Sequence, residues 1–259
     1  MGVSKSMLAQ VEGRPLSLVR FPEGAAKGKF FQKHIHGTVP EHVEEVDIRE
    51  KNEIQKYMIV NSTEGLLDLV QMGAFELHNW NCHQEDIEHP DQFIIDLDPG
   101  PGVTWNQIKE SALEVKDVLD HFKLKSFLKT SGGKGLHIHV PIAKLYTWDQ
   151  IRNFTKALAQ LMEDQFPNKY VSTMSKKIRK NKIFVDYLRN GRGSTAVTPY
   201  SLRAADQSAA ALPISWSELK TLKSANQFTI DKALVYLKKR KVDPWKGYNT
   251  LRQKLPKTG

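Results

Sequence analysis

The sequence predicts an α/β (α+β) chain in which helices flank a mixed sheet. Three observations carry this. Strand-like and helix-like segments follow one another as strand, helix, hairpin, helix, strand, hairpin, the pattern of a layered α/β domain. Two matching signals, "TWNQ" at 104–107 and "TWDQ" at 147–150, each form a capping box that opens an amphipathic helix. The apolar runs around them are short and closed by glycine or proline, as strands are.

Taken in order, "RPLSLVRF" (14–21) alternates enough for a strand, and "FFQKHIHG" begins a second in which one phenylalanine faces in and one out. "STEGLLDLVQMG" (62–73) is a short helix stopped by Gly73. "QFIIDLD" (92–98) is a strand, because "PGPG" after it cannot continue a ladder. The helix opened at Thr104 runs to about Phe122, with Ile108, Ala112, Val115, Leu119 and Phe122 on one stripe. "FLKTSGGKGLHIHV" (127–140) is two strands around a glycine turn. The helix opened at Thr147 reaches about Phe166 and buries Ile151, Phe154, Leu158 and Leu161. "KIFVDYL" (182–188) is a strand that "NGRG" (190–193) turns back into "STAVTPYSL" as a second hairpin. "SWSE" (215–218) caps another helix, and "DKALVYLKKRK" is a basic one.

No internal repeat or linker composition divides the 259 residues, so the whole chain is expected to be one catalytic unit. A division into sub-lobes, 1–90 and 91–259, falls near residue 90. No apolar run approaches a membrane span, and the N-terminus has no secretory core. Gly2 and Ser6 fit a short myristoylation pattern that arises often by chance. The single cysteine, Cys82, excludes a disulfide framework and a cysteine zinc site, and suits a reducing cytoplasm. A net charge of +9 points to a polyanionic partner or, more plainly, to a solvated basic surface.

Asp96 and Asp98 are the sharpest chemical feature. Two apart on a strand, they share a face, with Ile95 and Leu97 packed on the other. Adjacent anions repel, and a hard divalent cation removes that cost; solvated acids before a turn are the alternative. Asp186 again interrupts an apolar strand, either as a third metal-directed carboxylate or as an edge acid paired to Arg189 or Lys182. "SGGKG" offers Ser131, Lys134 and glycine backbone to a phosphate, although it lacks the P-loop spacing. His137 and His139 share a strand face; His137 lies beside Ser131, and His139 is read as a hydrogen-bonded sheet residue. Arg189, Arg192 and Arg203 surround the second hairpin, and Arg179 stands out within "SKKIRKNK". Phe30 and Phe31 beside Lys33 interleave aromatic and cationic groups in the way that holds nucleic-acid bases and phosphates. His78 and Trp80 lie in "ELHNW", close before the acidic strand.

Taken together, "GRPLSLVRFPEG", "FFQKH", "QMGAFELHNW", "PDQFIIDLDPGPG", "FLKTSGGKGLHIHVP" and "IFVDYLRNGRGSTAVTPYSLRA" resemble the polymerase domain of bacterial ligase D. That is a branch of the archaeo-eukaryotic primase superfamily. The resemblance runs from about Gly13 to "DPW" at 243–245. It implies a primase-type core on a mixed or antiparallel RRM-like sheet. It also implies nucleotidyl transfer in non-homologous end joining, on gapped DNA and double-stranded ends, with Ku and a DNA ligase as partners. By that resemblance Asp96, Asp98 and Asp186 hold two catalytic Mn2+ (or Mg2+) ions. His78, Ser131, Lys134, His137, Arg179, Arg189 and Arg203 face the incoming NTP or dNTP. Phe30 and Phe31 face the template, and Arg14, Arg20 and Lys33 face DNA phosphates. Sub-lobe 1–90 would then contact DNA, and 91–259 would carry metals and nucleotide. A preference for ribonucleotides, end addition, primer synthesis, a monomeric state and a bacterial cytoplasmic, nucleoid-associated location complete the expectation.

The sequence departs from the family in one respect. About a dozen residues precede Gly13, where family members carry a longer basic segment that reads a downstream 5′-phosphate. Lys5, Arg14, Arg20 and Lys33 are the residues expected to compensate. A KxDG ligase motif is absent from these 259 residues. Two other classes stay open on the residues alone. A two-metal nuclease would use the same acids but needs no "SGGKG" turn. A non-catalytic nucleic-acid module would not need intact acids.

Overall fold

Alternation along the strands sorts the chain into two six-stranded sheets, in a computed structural model that describes residues 2–24, 28–205 and 208–256. The first sheet follows helix α1 (Ser4–Val11). It contains β1 (Leu16–Arg20), β2 (Phe30–Gln32), β3 (Glu44–Glu50) and β4 (Glu53–Ile59). After helix α2 (Thr63–Gln71), capped by the Ser62 hydroxyl, comes β5 (Ala74–Asn79). The second sheet begins with β6 (Gln92–Pro99). Helix α3 (Trp105–His121) leads to β7 (Phe127–Thr130) and β8 (Leu136–Pro141), and α4 (Trp148–Gln165) follows. Then come β9 (Tyr170–Val171), β10 (Ile183–Asp186), β11 (Ala196–Val197), β12 (Pro213–Ile214) and α5 (Ile230–Lys239).

The second sheet has the order β12-β7-β8-β6-β10-β9 and is antiparallel except where β9 meets β10. One face is apolar: Ile95, Leu97, Leu136, Ile138 and Val185 are buried against α3 and α4. Both capping boxes form as predicted, and Ile108, Ala112, Val115 and Leu119 are buried on α3. On α4 the buried stripe ends on Met162, with Leu161 half-buried. The opposite face of the same strands carries the acids and histidines.

Five expectations need correction. The single predicted sheet is joined by another, with β11-β5-β1-β4-β3 in order and β2 added to β1. The chain after "NGRG" does not fold back on β10; β11 pairs with β5 in the first sheet. Asn190 and β9 are the reasons. The Asn190 side-chain amide accepts from Ile94 N at 2.8 Å and donates to Ile94 O at 2.7 Å, which prolongs the β10–β6 ladder and leads the chain away, while the outer edge of β10 is taken by β9. "SWSE" does form its reciprocal cap between Ser215 and Glu218, but only a 3-10 turn, Glu218–Thr221, follows. Phe30 and Phe31 are both exposed on three-residue β2, an edge strand paired with β1. The β3–β4 hairpin and α1 were not foreseen. The hairpin turns through Lys51 at φ 46°, and α1 has no side-chain cap to announce it.

Arg14 is the fifth correction. Placed among the DNA-contacting cations by sequence, it is buried. It makes a bidentate pair with Asp91 at 2.7 and 2.8 Å, and Asp91 also meets His83 Nε2 at 3.1 Å. Burial pushes the Asp91 carboxyl up, but Arg14 and His83 overcome this and hold it far below the usual carboxylate range. Removing one partner of a buried pair strands the other. Arg14→Ala is therefore expected to lower unfolding free energy by about 3–5 kcal/mol in urea titrations. The folded variant should bind gapped DNA as tightly as the parent.

Candidate active site

Directly opposed residues of an antiparallel pair share a face, so register alone assembles the site. Lys129 on β7 opposes His137 on β8, His137 opposes Asp96 on β6, and Asp96 opposes Asp186 on β10. The four form one cross-strand row. His137 Nε2 lies 3.5 Å from Asp96 Oδ1. Arg189 Nε stands 3.2 Å from Asp186 Oδ2 and 3.9 Å from Asp96 Oδ2. Asp98 shares the face two residues along, and its Oδ2 accepts from Arg179 Nη1 at 2.7 Å. The Arg179 guanidinium also lies 4.0 Å over the Phe184 ring.

Burial, and then the charge of Asp186, push the Asp96 carboxyl up to about 7, against the pull of Arg189. Burial likewise raises Asp186. Burial pushes His137 well below the usual imidazole range, Lys129 and other cations adding to this, and burial pushes the Lys129 amine down. Lys129 Nζ finds no hydrogen-bond partner among the described residues. His139 is buried against Tyr248, its Nδ1 3.4 Å from the phenol oxygen.

The donor set fits a divalent cation. Three hard oxygen donors share one strand face, and the two most buried stand in register, where excess negative charge is costly. Among the described residues no three His, Cys, Asp or Glu side chains close into a cage, since Asp98 is turned to Arg179.

The "SGGKG" turn lies at the end of this row. Ser131 Oγ accepts from Gly133 N and Gly135 N, each at 3.1 Å, which leaves its hydroxyl proton to donate elsewhere. Gly135 permits a close approach: a Cβ there would lie 2.1 Å from Leu97 O, between the two strand acids. The Arg203 stem packs on Gly132, which has φ +70°. Lys134 is exposed and lines a hollow of about 460 Å3 with Pro99, Gly100, Trp105 and Asn226.

From the first sheet come His78 and a residue that the sequence reading missed. Glu76 is buried, and its Oε2 meets His78 Nε2 at 2.8 Å and Arg203 Nε at 3.0 Å. The signal was present, since Glu76 and His78 are two apart on a strand. The Phe31 ring stands edge-on to His78 at 6.0 Å. Arg20 lies 5.5 Å from the Phe30 ring, its guanidinium tied to Met72 O and Gln32. Lys33 is paired with Glu50 at 2.9 Å.

The row of acids, the glycine turn and the arginines are thus brought together, Lys134 stands outside, and Arg14 lies at the far end of β6. Residues 1–245 match the family described as LigD, primase-polymerase domain. This chain belongs to that family. It is 36% identical over 250 residues to the multifunctional non-homologous end joining protein LigD of Pseudomonas aeruginosa, covering 96% of this chain and 30% of that protein. It is 28% identical over 239 residues to the bifunctional LigD of Bacillus subtilis, covering 92% of this chain and 38% of that one. The chain thus spans roughly a third of these relatives' length. Among solved structures it matches the polymerase domain of Mycobacterium tuberculosis ligase D in complex with DNA, with a TM-score of 0.87 and 29% identity over 96% of this chain and 88% of that one. The mixed α/β fold with flanking helices is the fold of that domain. Family members are nucleotidyltransferases, enzymes that generally need divalent metals. Among the described residues no helix is long and apolar enough to cross a membrane.

The opposed acids have a thermodynamic consequence without metal. A carboxyl at about 7 in the folded state and near 3.9 unfolded binds more protons when folded, so its favourable contribution is lost as pH rises through that interval. With a chelator present, the melting temperature is expected to fall from pH 5 to pH 8. Asp96→Asn should flatten most of that slope, and an unchanged slope would assign the dependence to another group.

Proposed function

We propose that this chain is a DNA-dependent nucleotidyltransferase that fills gaps and extends 3′ ends in non-homologous end joining, by two-metal phosphoryl transfer. The observation that carries the reading is the row in which Asp96 and Asp186 stand in register beside Asp98, with a serine-glycine turn and free arginine donors at its end. The names of the relatives supply the pathway, and the DNA-bound neighbour supplies the polymer.

Asp96, Asp98 and Asp186 would hold two ions, Mn2+ favoured over Mg2+. When bound, the ions supply Lewis-acid activation of the primer 3′-hydroxyl and balance charge on the departing pyrophosphate. The chain does the rest. The Ser131 hydroxyl and the Gly132–Gly133 backbone orient the triphosphate, and Arg203 offsets charge that grows in the transition state. His137 joins Arg203 at the triphosphate, His78 and Arg189 face the nucleotide, and His137 and Arg189 also stand beside Asp96 and Asp186 and orient them. Arg179 neutralises Asp98 in this state, so it and a cation compete for one carboxylate. Exposed Phe30 and Phe31 stack on template bases, and Arg20 and Lys33 lie near enough to take backbone phosphates. Lys134 reaches the triphosphate only by swinging inward from its exposed position. A ribonucleotide preference, template-independent addition, primer synthesis, action as one monomeric unit, and work beside Ku and a ligase belong to the same proposal, as does a place in the bacterial cytoplasm at the nucleoid.

The test is primer extension on a gapped duplex, with ribo- and deoxynucleotides and with manganese and magnesium. Asp96→Ala and Asp98→Ala should each abolish incorporation with an unchanged circular dichroism spectrum. Ser131→Ala, His137→Ala and Arg203→Ala should raise the nucleotide KM more than the DNA Kd. Robust manganese-dependent synthesis by either aspartate variant would overturn the metal assignment.

DNA binding should weaken steeply with salt. For about four phosphate contacts, log affinity against log salt should have a slope of roughly −3 to −4. A slope near zero would show that the +9 charge is not used on the DNA backbone.

A further inference from the structure

We infer that Glu76 is a positioning residue of the nucleotide site, aiming both Arg203 and His78 through one buried carboxylate. The inference rests on the assignment of Arg203 and His78 to the nucleotide. Three segments distant in sequence converge on this side chain. Its Oε2 accepts from His78 Nε2 at 2.8 Å and forms an ion pair with Arg203, whose Nε lies 3.0 Å away, and its Oε1 accepts from Ala204 N at 2.6 Å. The side chain is 5% exposed, against 14% for His78 and 32% for Arg203. The carboxylate is hidden while its two partners open toward the cleft.

Which atoms it engages decides what they can do. Arginine has five N–H donors, four of them on the terminal amines. Glu76 takes the Nε side and leaves both Nη groups without a partner among the described residues, so the forked end stays available for phosphate. On the other side of the guanidinium stem, Gly132 has no Cβ, which lets Arg203 lie against the "SGGKG" turn. Glu76 therefore anchors in the first sheet an arginine whose stem lies on the second. It also fixes the histidine. A carboxylate accepts only, so His78 donates from Nε2 and presents Nδ1 as an acceptor. Burial pushes His78 below the ordinary imidazole range and keeps it neutral near pH 7. Burial also pushes the Glu76 carboxyl up, but the His78 hydrogen bond, the charge of Arg203 and the Ala204 amide outweigh it, and the group ends at about 2. It is ionised at every pH where the enzyme would work. The same node reaches the exposed aromatic pair, because the Phe31 ring stands against His78, and Lys29 Nζ holds Ala204 O at 2.9 Å.

A purely structural carboxylate would affect folding alone. A positioning one affects nucleotide use through Arg203. The test is steady-state gap filling by Glu76→Gln, Arg203→Ala and the double variant. Glu76→Gln should raise the nucleotide KM on the order of tenfold, with kcat and gapped-DNA Kd changed far less, because the guanidinium loses its buried counter-charge. Glu76→Asp, which keeps the charge, should recover part of the loss. In the Arg203→Ala background, Glu76→Gln should add less than it does in the parent, because only the His78 route remains. Full multiplication of the two effects, or a normal KM in Glu76→Gln beside a raised KM in Arg203→Ala, overturns the inference alone. A normal KM in Arg203→Ala overturns the nucleotide assignment and the inference with it. Should Glu76→Gln not fold, nitrogen NMR of the His78 ring in the parent decides: the Nε2–H tautomer near pH 7 supports the inference, and Nδ1–H overturns it.

Discussion

The structure depends on holding two carboxylates opposite each other where they repel. Asp96 and Asp186 are register partners on adjacent strands, and like charges directly opposed weaken a sheet. A slip of one residue would send both acids into the core face and expose Leu97 and Val185. The apolar layer forbids that slip, since Leu97, Ile138 and Val185 are buried under α3 and α4. Asn190 adds a local clasp. Its amide pairs with both polar groups of Ile94, two residues before Asp96, and so continues the β10 edge after the strand has ended. Arg189, carried on the same turn, brings its charge to both acids. Stability stored in one face of the sheet offsets repulsion built into the other.

The cations around this repulsion have separate tasks, although in sequence they look alike. Arg14 holds Asp91 inside the protein, at the other end of β6. Arg179 and Arg189 meet the strand acids themselves. Arg203 touches none of the acids; it is anchored by Glu76 and keeps its terminal amines free. A buried guanidinium needs a carboxylate within hydrogen-bond reach, and which carboxylate that is depends on contacts between residues tens of positions apart. Glu76 and Asp91 are ordinary acids in the sequence, and their arginine partners are set only by the fold.

The same distinction separates what could be read in the sequence from what could not. Capping boxes, the strand before "PGPG", the common face of Asp96 and Asp98, and the two strands around "SGGKG" are local features, and they appear where expected. The β3–β4 hairpin has alternation but turns at Lys51–Asn52 without a glycine, so the usual turn signal was missing. The crossing of β11 to β5 was not legible, because β9, a two-residue strand with no signal of its own, takes the outer edge of β10. The burial of Arg14 and the pairing of Glu76 with Arg203 were hidden because they are long-range. Both are defined by partners more than seventy residues away.

Lys129 and Lys134 show how topology overrides motif. Lys134 stands in the glycine turn, where phosphate-binding lysines are sought, yet a turn residue has no cross-strand partner to hold it, and its side chain is exposed. Lys129 stands just before the turn, on a strand, and looks like an ordinary alternating residue. Register places it opposite His137, and therefore at one end of a row whose other end is two acids. Its amine is buried without a hydrogen-bond partner among the described residues, and burial pushes it well below the ordinary lysine range against the opposing pull of Asp96. The row thus carries its positive and negative groups in a fixed order across four strands. That order, set by backbone pairing, determines which of the chain's many basic residues share a field with Asp96.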